Sequence, residues 1–240
     1  IQRMKRRQIT QIINTNWCPE FIKKMIAEFL SWFVLKTNAT KPFIPVIEEM
    51  LDTTHTKNVI NIEFDLGAGI ETVQPFLSEE ITVTSIHISQ FHTHTNGLYL
   101  FVNCFHQLPA TNAKEILQKI ADSGNPVVVV EGNNDSLWQI VGMTVFVPLT
   151  VLLTAFFVTP FRMLRILFTY IIPILPIIIV IDGCIALLKL YNPNDLRVLS
   201  SSVHTKNYTW KAGKNANRRG GKIMYLTGKK LYQHETHSHI

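Results

Sequence analysis

The chain has 240 residues, 47% of them hydrophobic and only 17% charged, a composition that excludes a disordered tail or a coiled-coil rod. A mean hydropathy of +0.16 is high for a water-soluble enzyme of this size and points to apolar content concentrated in lipid-facing segments. Lys plus Arg (23) exceed Asp plus Glu (17), for a net charge of +6, so the expected partners are anionic, phospholipid or nucleic acid. Cys18, Cys104 and Cys184 are odd in number and far apart, which indicates neither a disulfide framework nor a clustered metal site and reads as reduced thiols.

The chain opens on Ile1 without an initiator methionine, as expected of a piece or a trimmed product, and its start lacks the pattern of a secretory signal. After a basic stretch at Met4 to Arg7, apolar residues from Phe21 and Ile22 to Phe33 and Val34 recur in pairs every four positions. That period predicts an amphipathic helix. Its polar face is not rich in lysine, so it is expected to lie against the rest of the protein more than on a membrane surface.

A βα rhythm follows. Val59 to Phe64, Ile81 to Thr84, Leu98 to Phe105 and Pro126 to Val130 read as buried strands, and Thr111 to Ser123 as an amphipathic helix stopped by Gly124. Strands alternating with helices predict an α/β fold, Rossmann-like, with a mostly parallel sheet and ligands at the carboxyl ends of its strands.

The character changes after Asp135. Residues 136–161 carry no charge, and after Arg162 and Arg165 a second uncharged run extends from Ile166 to Ile181 and continues through Asp182 to Leu188. The first run is long enough to cross a bilayer as a helix; Pro173 and Pro176 kink the second. A two-pass hydrophobic hairpin and a re-entrant or interfacial segment both fit. From Lys189 to Lys230 ten basic residues face the single acid Asp195, a bias that keeps this stretch cytoplasmic. A basic N-terminus on the same side favours a hairpin or a one-sided insertion, and leaves Arg162 and Arg165 awkwardly at its tip. Tyr208 to Ala212 and Ile223 to Thr227, joined across Gly220-Gly221, read as a hairpin at the sheet edge. The chain thus divides into an N-terminal helical segment (1–55), an α/β domain (56–135 and 200–230), a membrane-associated insertion (136–190) and a tail (231–240).

The turn Asp65-Leu66-Gly67-Ala68-Gly69 closes the first strand, and Ile70 to Leu77 reads as a helix after it. Glycines let a ligand approach the backbone, and a helix N-terminus offers N–H groups to a carboxylate or phosphate. A dinucleotide fingerprint would need a further glycine, where this chain has Glu71, Thr72 and Val73. An acid two places before the first glycine resembles motif I of class I S-adenosylmethionine-dependent methyltransferases. Arg6-Arg7 to Trp17-Cys18-Pro19, Asn103 to Leu108, Val130-Glu131-Gly132, Phe168-Thr169-Tyr170 through Pro173 and Pro176 to Asp182-Gly183, and Tyr208-Thr209-Trp210 extend the likeness to bacterial, membrane-associated methyltransferase-like proteins over nearly the whole chain.

The resemblance implies the seven-stranded methyltransferase sheet, with the terminal hairpin as its last two strands, the apolar block inserted before them, and S-adenosyl-L-methionine as cofactor. Asp65, Leu66, Gly67, Ala68 and Gly69, with Ser85, Asn103 and Cys104, are then the cofactor-binding residues. Ser85 stands where the class usually carries an acid for the ribose hydroxyls, and hydrogen-bonds more weakly than a carboxylate. Only Ile86 to Gly97 is left for the third strand and its helix, too little for a crossover, so that strand is missing or the pocket is partly open.

His106 and Glu131, at strand ends, are the candidate catalytic residues, with a hydrogen-bonding role for His106 and a helix-capping role for Glu131 as the plainer alternatives. Asp182 is either part of a polar pocket or a helix-end residue beside Gly183. His87, His92 and His94, and His234, His237 and His239, lack the carboxylate or cysteine that completes a metal site, so no metal is expected. The leading expectation is S-adenosylmethionine-dependent methyl transfer at the cytoplasmic membrane face, to an unknown, lipid-like or membrane-resident acceptor. The alternatives are a non-catalytic scaffold of the same fold and nucleic-acid binding through the basic C-terminal region, the latter opposed by Tyr208 and Trp210 at strand positions where they pack the hairpin.

Overall fold

The computed structural model describes residues 9–64, 69–132, 141–216 and 222–231. Six strands form one mixed sheet: β1 (Asn58–Glu63), β2 (Thr82–His87), β3 (Leu98–Val102), β4 (Val127–Gly132), β5 (Tyr208–Ala216) and β6 (Lys222–Lys230), in the order β2-β1-β3-β4-β6-β5. The first four are mutually parallel, and β6 runs antiparallel to both β4 and β5. The protein is therefore α/β, and the terminal hairpin lies at the sheet edge through β6.

Alternation along the strands gives the sheet two apolar faces. Ile60, Ile62, Tyr99, Phe101, Val127 and Val129 pack against α3 (Ala110–Ser123) and, further along the chain, the helix Pro193–Ser201. Val59, Leu98, Leu100, Val102, Val128 and Val130 pack against α2 (Ile44–Thr54). Gly124 ends α3 in the left-handed conformation at φ 76°, which a glycine adopts without the steric cost of a Cβ.

β2 departs from the buried strand that its β-branched residues predict. It is the sheet edge and is mostly exposed, because residues 88–97 form a short 3-10 turn and a loop and supply no further strand to cover it. The polar residues Thr82, Thr84, Ser85 and His87 suit such an edge. The helix expected over Ile70 to Leu77 is also absent: Ile70–Thr72 and Gln74–Phe76 are two separate 3-10 turns. β3 stops at Val102, three residues short of the expected end, because Asn103 takes a left-handed φ of 49° and Phe105–Gln107 winds into a 3-10 turn.

The apolar block is three helices: α4 (Gly142–Thr154), α5 (Met163–Ile171) and α6 (Ile174–Lys189). The helix Pro193–Ser201 follows as α7. Among the described residues no single helix is long and apolar enough to cross a membrane, and α5 and α6 are bent by 78° at Ile172-Pro173. Proline removes a donor there and bars the preceding residue from the helical region; Ile172 accordingly sits at φ −121°, ψ 86°. Among the described residues the apolar block is thus a set of short helices, broken where the prolines were expected to kink it. Sequence reading missed α7, whose signal is Asn192-Pro193-Asn194-Asp195, a capping box in which Asn192 accepts from the Asp195 N–H and Asp195 from the Asn192 N–H.

α1 (Glu20–Thr37) packs on this block. Ile22, Met25, Ile26 and Phe29 are buried with Val151, Val158, Leu175, Ile178 and Ile179 in a third core, each such side chain contributing about 2 kcal/mol. The two arginines lie on α1: Arg162 binds the Glu28 carboxylate through Nε and Nη2, and Arg165 Nη2 binds it at 2.5 Å. Arg165, 1% exposed, also donates to the Val158 and Pro160 carbonyls. Asp182 lies inside α6, not at its end, and accepts the Ile12 and Ile13 N–H groups at 2.6 and 2.9 Å. This ties the segment before α1 to the block as well.

Glu28→Gln strands the buried Arg165 guanidinium and is expected to cost about 3–5 kcal/mol, whereas loss of the more exposed partner in Arg162→Gln is expected to cost far less. Denaturant unfolding of the two variants measures the difference.

Candidate functional site

The carboxyl ends of parallel strands gather backbone groups and loops at one edge, where α/β proteins bind ligands. Here that edge borders two spaces. The first is a cleft of about 1100 Å³, lined by Ile62, Glu63, Phe64, Gly69 and Glu71 from β1 and the turns after it, by Val102 and Cys104 from the end of β3, and by Glu28, Ser31, Trp32 and Leu35 of α1. The second is an apolar cavity of about 330 Å³ between α1, α4 and α6, reached by Asn103 and His106 after β3 and by Gly132 at the end of β4. α1 lines both, with Glu28 and Ser31 toward the cleft and Ile26, Phe29 and Phe33 toward the cavity.

Of the residues expected at the cofactor, Gly69 and Cys104 line the cleft. Asp65, Leu66, Gly67 and Ala68 lie outside the described residues. Ser85 is not at the end of β2, which continues to His87, and its side chain acts through Glu63: Ser85 Oγ donates to Glu63 Oε1 at 2.6 Å, and Asn61 Nδ2 donates to the same oxygen at 3.0 Å. The parallel register that sets Asn61 beside Ser85 brings the three side chains together. A carboxylate is thus present in the cleft on β1, two positions before the turn. Sequence reading looked for it on β2. The signal was Glu63 itself, an acid ending an otherwise apolar buried strand.

Around Gly69 the cleft is open. A Cβ there would meet only Glu71 Oε2, at 3.4 Å. Glu71 Oε1 accepts the Gly69 N–H at 3.2 Å and the Ser31 hydroxyl at 2.8 Å, which links the turn to α1. The N–H groups foreseen at a helix start are here those of a 3-10 turn, and one is held by the chain's own carboxylate.

Asn103 faces the apolar cavity, not the cleft, and its Oδ1 accepts the Gly132 N–H at 3.1 Å, locking the ends of β3 and β4. His106 and Glu131 meet. Both are buried, and Glu131 Oε1 accepts the His106 backbone N–H at 2.7 Å and lies 2.9 Å from its Nδ1. A carboxylate at Nδ1 fixes that nitrogen as the donor and makes Nε2 the basic atom of the ring. Glu131 therefore orients His106, in place of the helix cap considered for it. Cys104 is no nucleophile: its thiol donates to the Ile62 carbonyl, and burial holds its pKa well above the ordinary thiol value.

His92 and His94 stack at 5.6 Å, His87 pairs with Ser89, and among the described residues no group of three or more His, Cys, Asp and Glu is placed to hold a metal ion. His234, His237 and His239 lie outside the described residues. The Tyr208 and Trp210 rings, 4.9 Å apart, close over Gly228, where a Cβ would come within 2.7 Å of both. That packing occupies the aromatic faces a nucleic-acid base would stack on.

Comparison with family models, with curated proteins and with solved structures finds no match to this chain.

Because the Cys104 and Cys18 thiols are both buried and pushed upward, maleimide at pH 8 is expected to label Cys184 in the native protein and the other two only after denaturation. Peptide mass spectrometry of the labelled chain reads this directly.

Proposed function

We propose that this protein is an S-adenosylmethionine-dependent methyltransferase that works at a membrane face on a lipid-like or membrane-resident acceptor. The observation that carries the reading is the coincidence of the sheet with the cleft. Four parallel strands followed by an antiparallel hairpin, with β6 between β4 and β5, match the Rossmann-like methyltransferase sheet without its third strand. The cleft opens at the strand ends where that class holds its cofactor.

The residues present fit the cofactor. Glu63, held by Ser85 and Asn61, is the acceptor for the ribose hydroxyls. Ile62, Val102, Trp32 and Leu35 give the adenine an apolar wall, and the space at Gly69 is left open for the methionine end. The cofactor supplies an electrophilic methyl group on a sulfonium. The chain's own residues align the acceptor, exclude water and manage its proton. The segment after β3 lines both spaces, Val102 and Cys104 the cleft and Asn103 and His106 the cavity; an acceptor is taken to meet the cofactor there, with His106, oriented by Glu131, to receive its proton.

The membrane supplies the acceptor. Phe146, Leu153, Phe157, Met163 and Ile171 are all more than half exposed on α4, α5 and the segment joining them, a concentration of large exposed apolar side chains that suits contact with lipid. Broken helices with this exposure suit insertion into one leaflet, with the basic stretch from Arg197 onward at the anionic headgroups of the cytoplasmic side.

The non-catalytic scaffold retains one observation in its favour: Glu71 holds the Gly69 N–H that a ligand carboxylate would take. Calorimetric titration with S-adenosylmethionine separates the two. Saturable binding is expected, weakened about tenfold or more in Glu63→Ala, which removes a charged acceptor; heat-silent titration of folded protein at millimolar ligand would leave the scaffold. For the membrane, co-flotation with phosphatidylglycerol-containing vesicles is expected to fall about tenfold or more in a Leu153→Glu, Met163→Glu double variant. Undiminished flotation of that variant would overturn the leaflet insertion.

A further inference from the structure

The apolar cavity has a composition that selects its occupant. Its described lining is mostly aliphatic and aromatic from α1, α4 and α6, without a lysine or arginine; the polar residues are Gln11, Asn103, His106, Gln107 and Asp182, with Thr150 on α4. Gln11 is 7% exposed. Its Nε2 donates to the Asp182 carbonyl at 3.3 Å, which fixes the orientation of the amide, and its buried Oε1 has no hydrogen-bond partner. A buried carbonyl oxygen left so is destabilising unless a ligand donates to it. Asp182 beside it is a carboxylate whose oxygens accept the Ile12 and Ile13 N–H groups, and Glu131 stands behind His106. Buried Lys189, outside the lining, acts on Asp182 and offsets part of its charge, so the selection rests on Gln11 Oε1, an acceptor to which a hydroxyl can donate and a carboxylate cannot.

We propose that this cavity binds a single-chain amphiphile with a neutral, hydroxyl-bearing head, the hydroxyl donating to Gln11 Oε1 and the alkyl chain lying between α1 and α6. A volume of about 330 Å³, at roughly 30 Å³ for each water-sized group, holds on the order of ten methylenes. The site is built from α1, the block and the end of β3 together, so it exists only in the assembled chain. The inference rests on the methyltransferase reading for its meaning, since the hydroxyl lies on the His106 side where an acceptor oxygen would lose its proton. The binding itself does not depend on the cofactor.

The test uses the full chain in detergent-free buffer, with 1-alkanols and alkanoates as probes. Isothermal titration is expected to show saturable one-to-one binding of 1-decanol, with affinity rising about fourfold per added methylene from 1-hexanol and levelling beyond 1-decanol. Decanoate at pH 8 is expected to bind about tenfold more weakly or less. Ala186→Phe, which fills the cavity, should abolish decanol binding, and Gln11→Leu, the milder change, should erase the preference for decanol over decanoate, each variant being checked for its native far-ultraviolet circular dichroism. Decanoate binding as tightly as decanol, an unchanged preference in Gln11→Leu, or no saturable alkanol binding by folded protein would each overturn the assignment. The two readings fail separately. Decanol binding without S-adenosylmethionine binding keeps the cavity and removes the enzyme, and the converse removes the cavity's occupant alone.

Discussion

The Glu28 carboxylate, held between two guanidiniums, is the constraint on which the arrangement of this protein turns. Arg165 is buried almost completely, and a guanidinium in that position is tolerable only with a carboxylate and carbonyls around it. Glu28 lies on α1, so the requirement fixes where α1 crosses the apolar block. Asp182 makes the same demand from the opposite element, taking two N–H groups of the segment that leads into α1. An apolar surface alone would let α1 slide or rotate over α6, because hydrophobic contact has no direction. The ion pairs and the paired N–H bonds give it one.

With α1 fixed, both functional spaces follow. The same helix presents Glu28 and Ser31 to the cleft and Ile26, Phe29 and Phe33 to the cavity, so one amphipathic helix lies between a cleft of mixed polar and apolar lining and a cavity that is apolar along α1. Such a division suits a reaction between a polar, nucleoside-bearing donor and an apolar acceptor. The edge at β2 fits the same arrangement. With nothing beyond β2, the cleft is not closed by sheet on that side, and Trp32 and Leu35 of α1 bound it instead.

The apolar block is used on two sides. Inward, Val151, Val158, Leu175, Ile178 and Ile179 make a core with α1; outward, a second set of large side chains stays exposed. The kinks at Ile172-Pro173 make this possible. The bend there turns the second apolar run into two short helices, α5 and α6.

Much of the fold was legible from residue patterns. The valine run, the β-branched strands, the period of α1 and α3 and the glycine stop at Gly124 are local facts, and backbone propensity and alternation act over a few residues. Individual ends were misjudged where local chemistry intervened, as at Asn103, whose left-handed backbone halts β3, and at Ile70 to Leu77, where Pro75 and the tight packing after Gly69 leave only 3-10 turns. The candidate pair His106 and Glu131 could be named from strand ends. That Glu131 orients His106 could not, since 25 residues and a parallel register separate them.

The sequence by itself determined an α/β sheet with a terminal hairpin, an apolar block, and acids and histidines near strand ends, because each depends on composition and short-range periodicity. Only the tertiary structure decided which acid serves the cleft, where the two arginines go and that α1 divides the site. Those depend on residues such as Glu63 and Ser85, or Glu28 and Arg165, meeting across long stretches of chain, where burial makes an unpaired charge costly and geometry selects its partner.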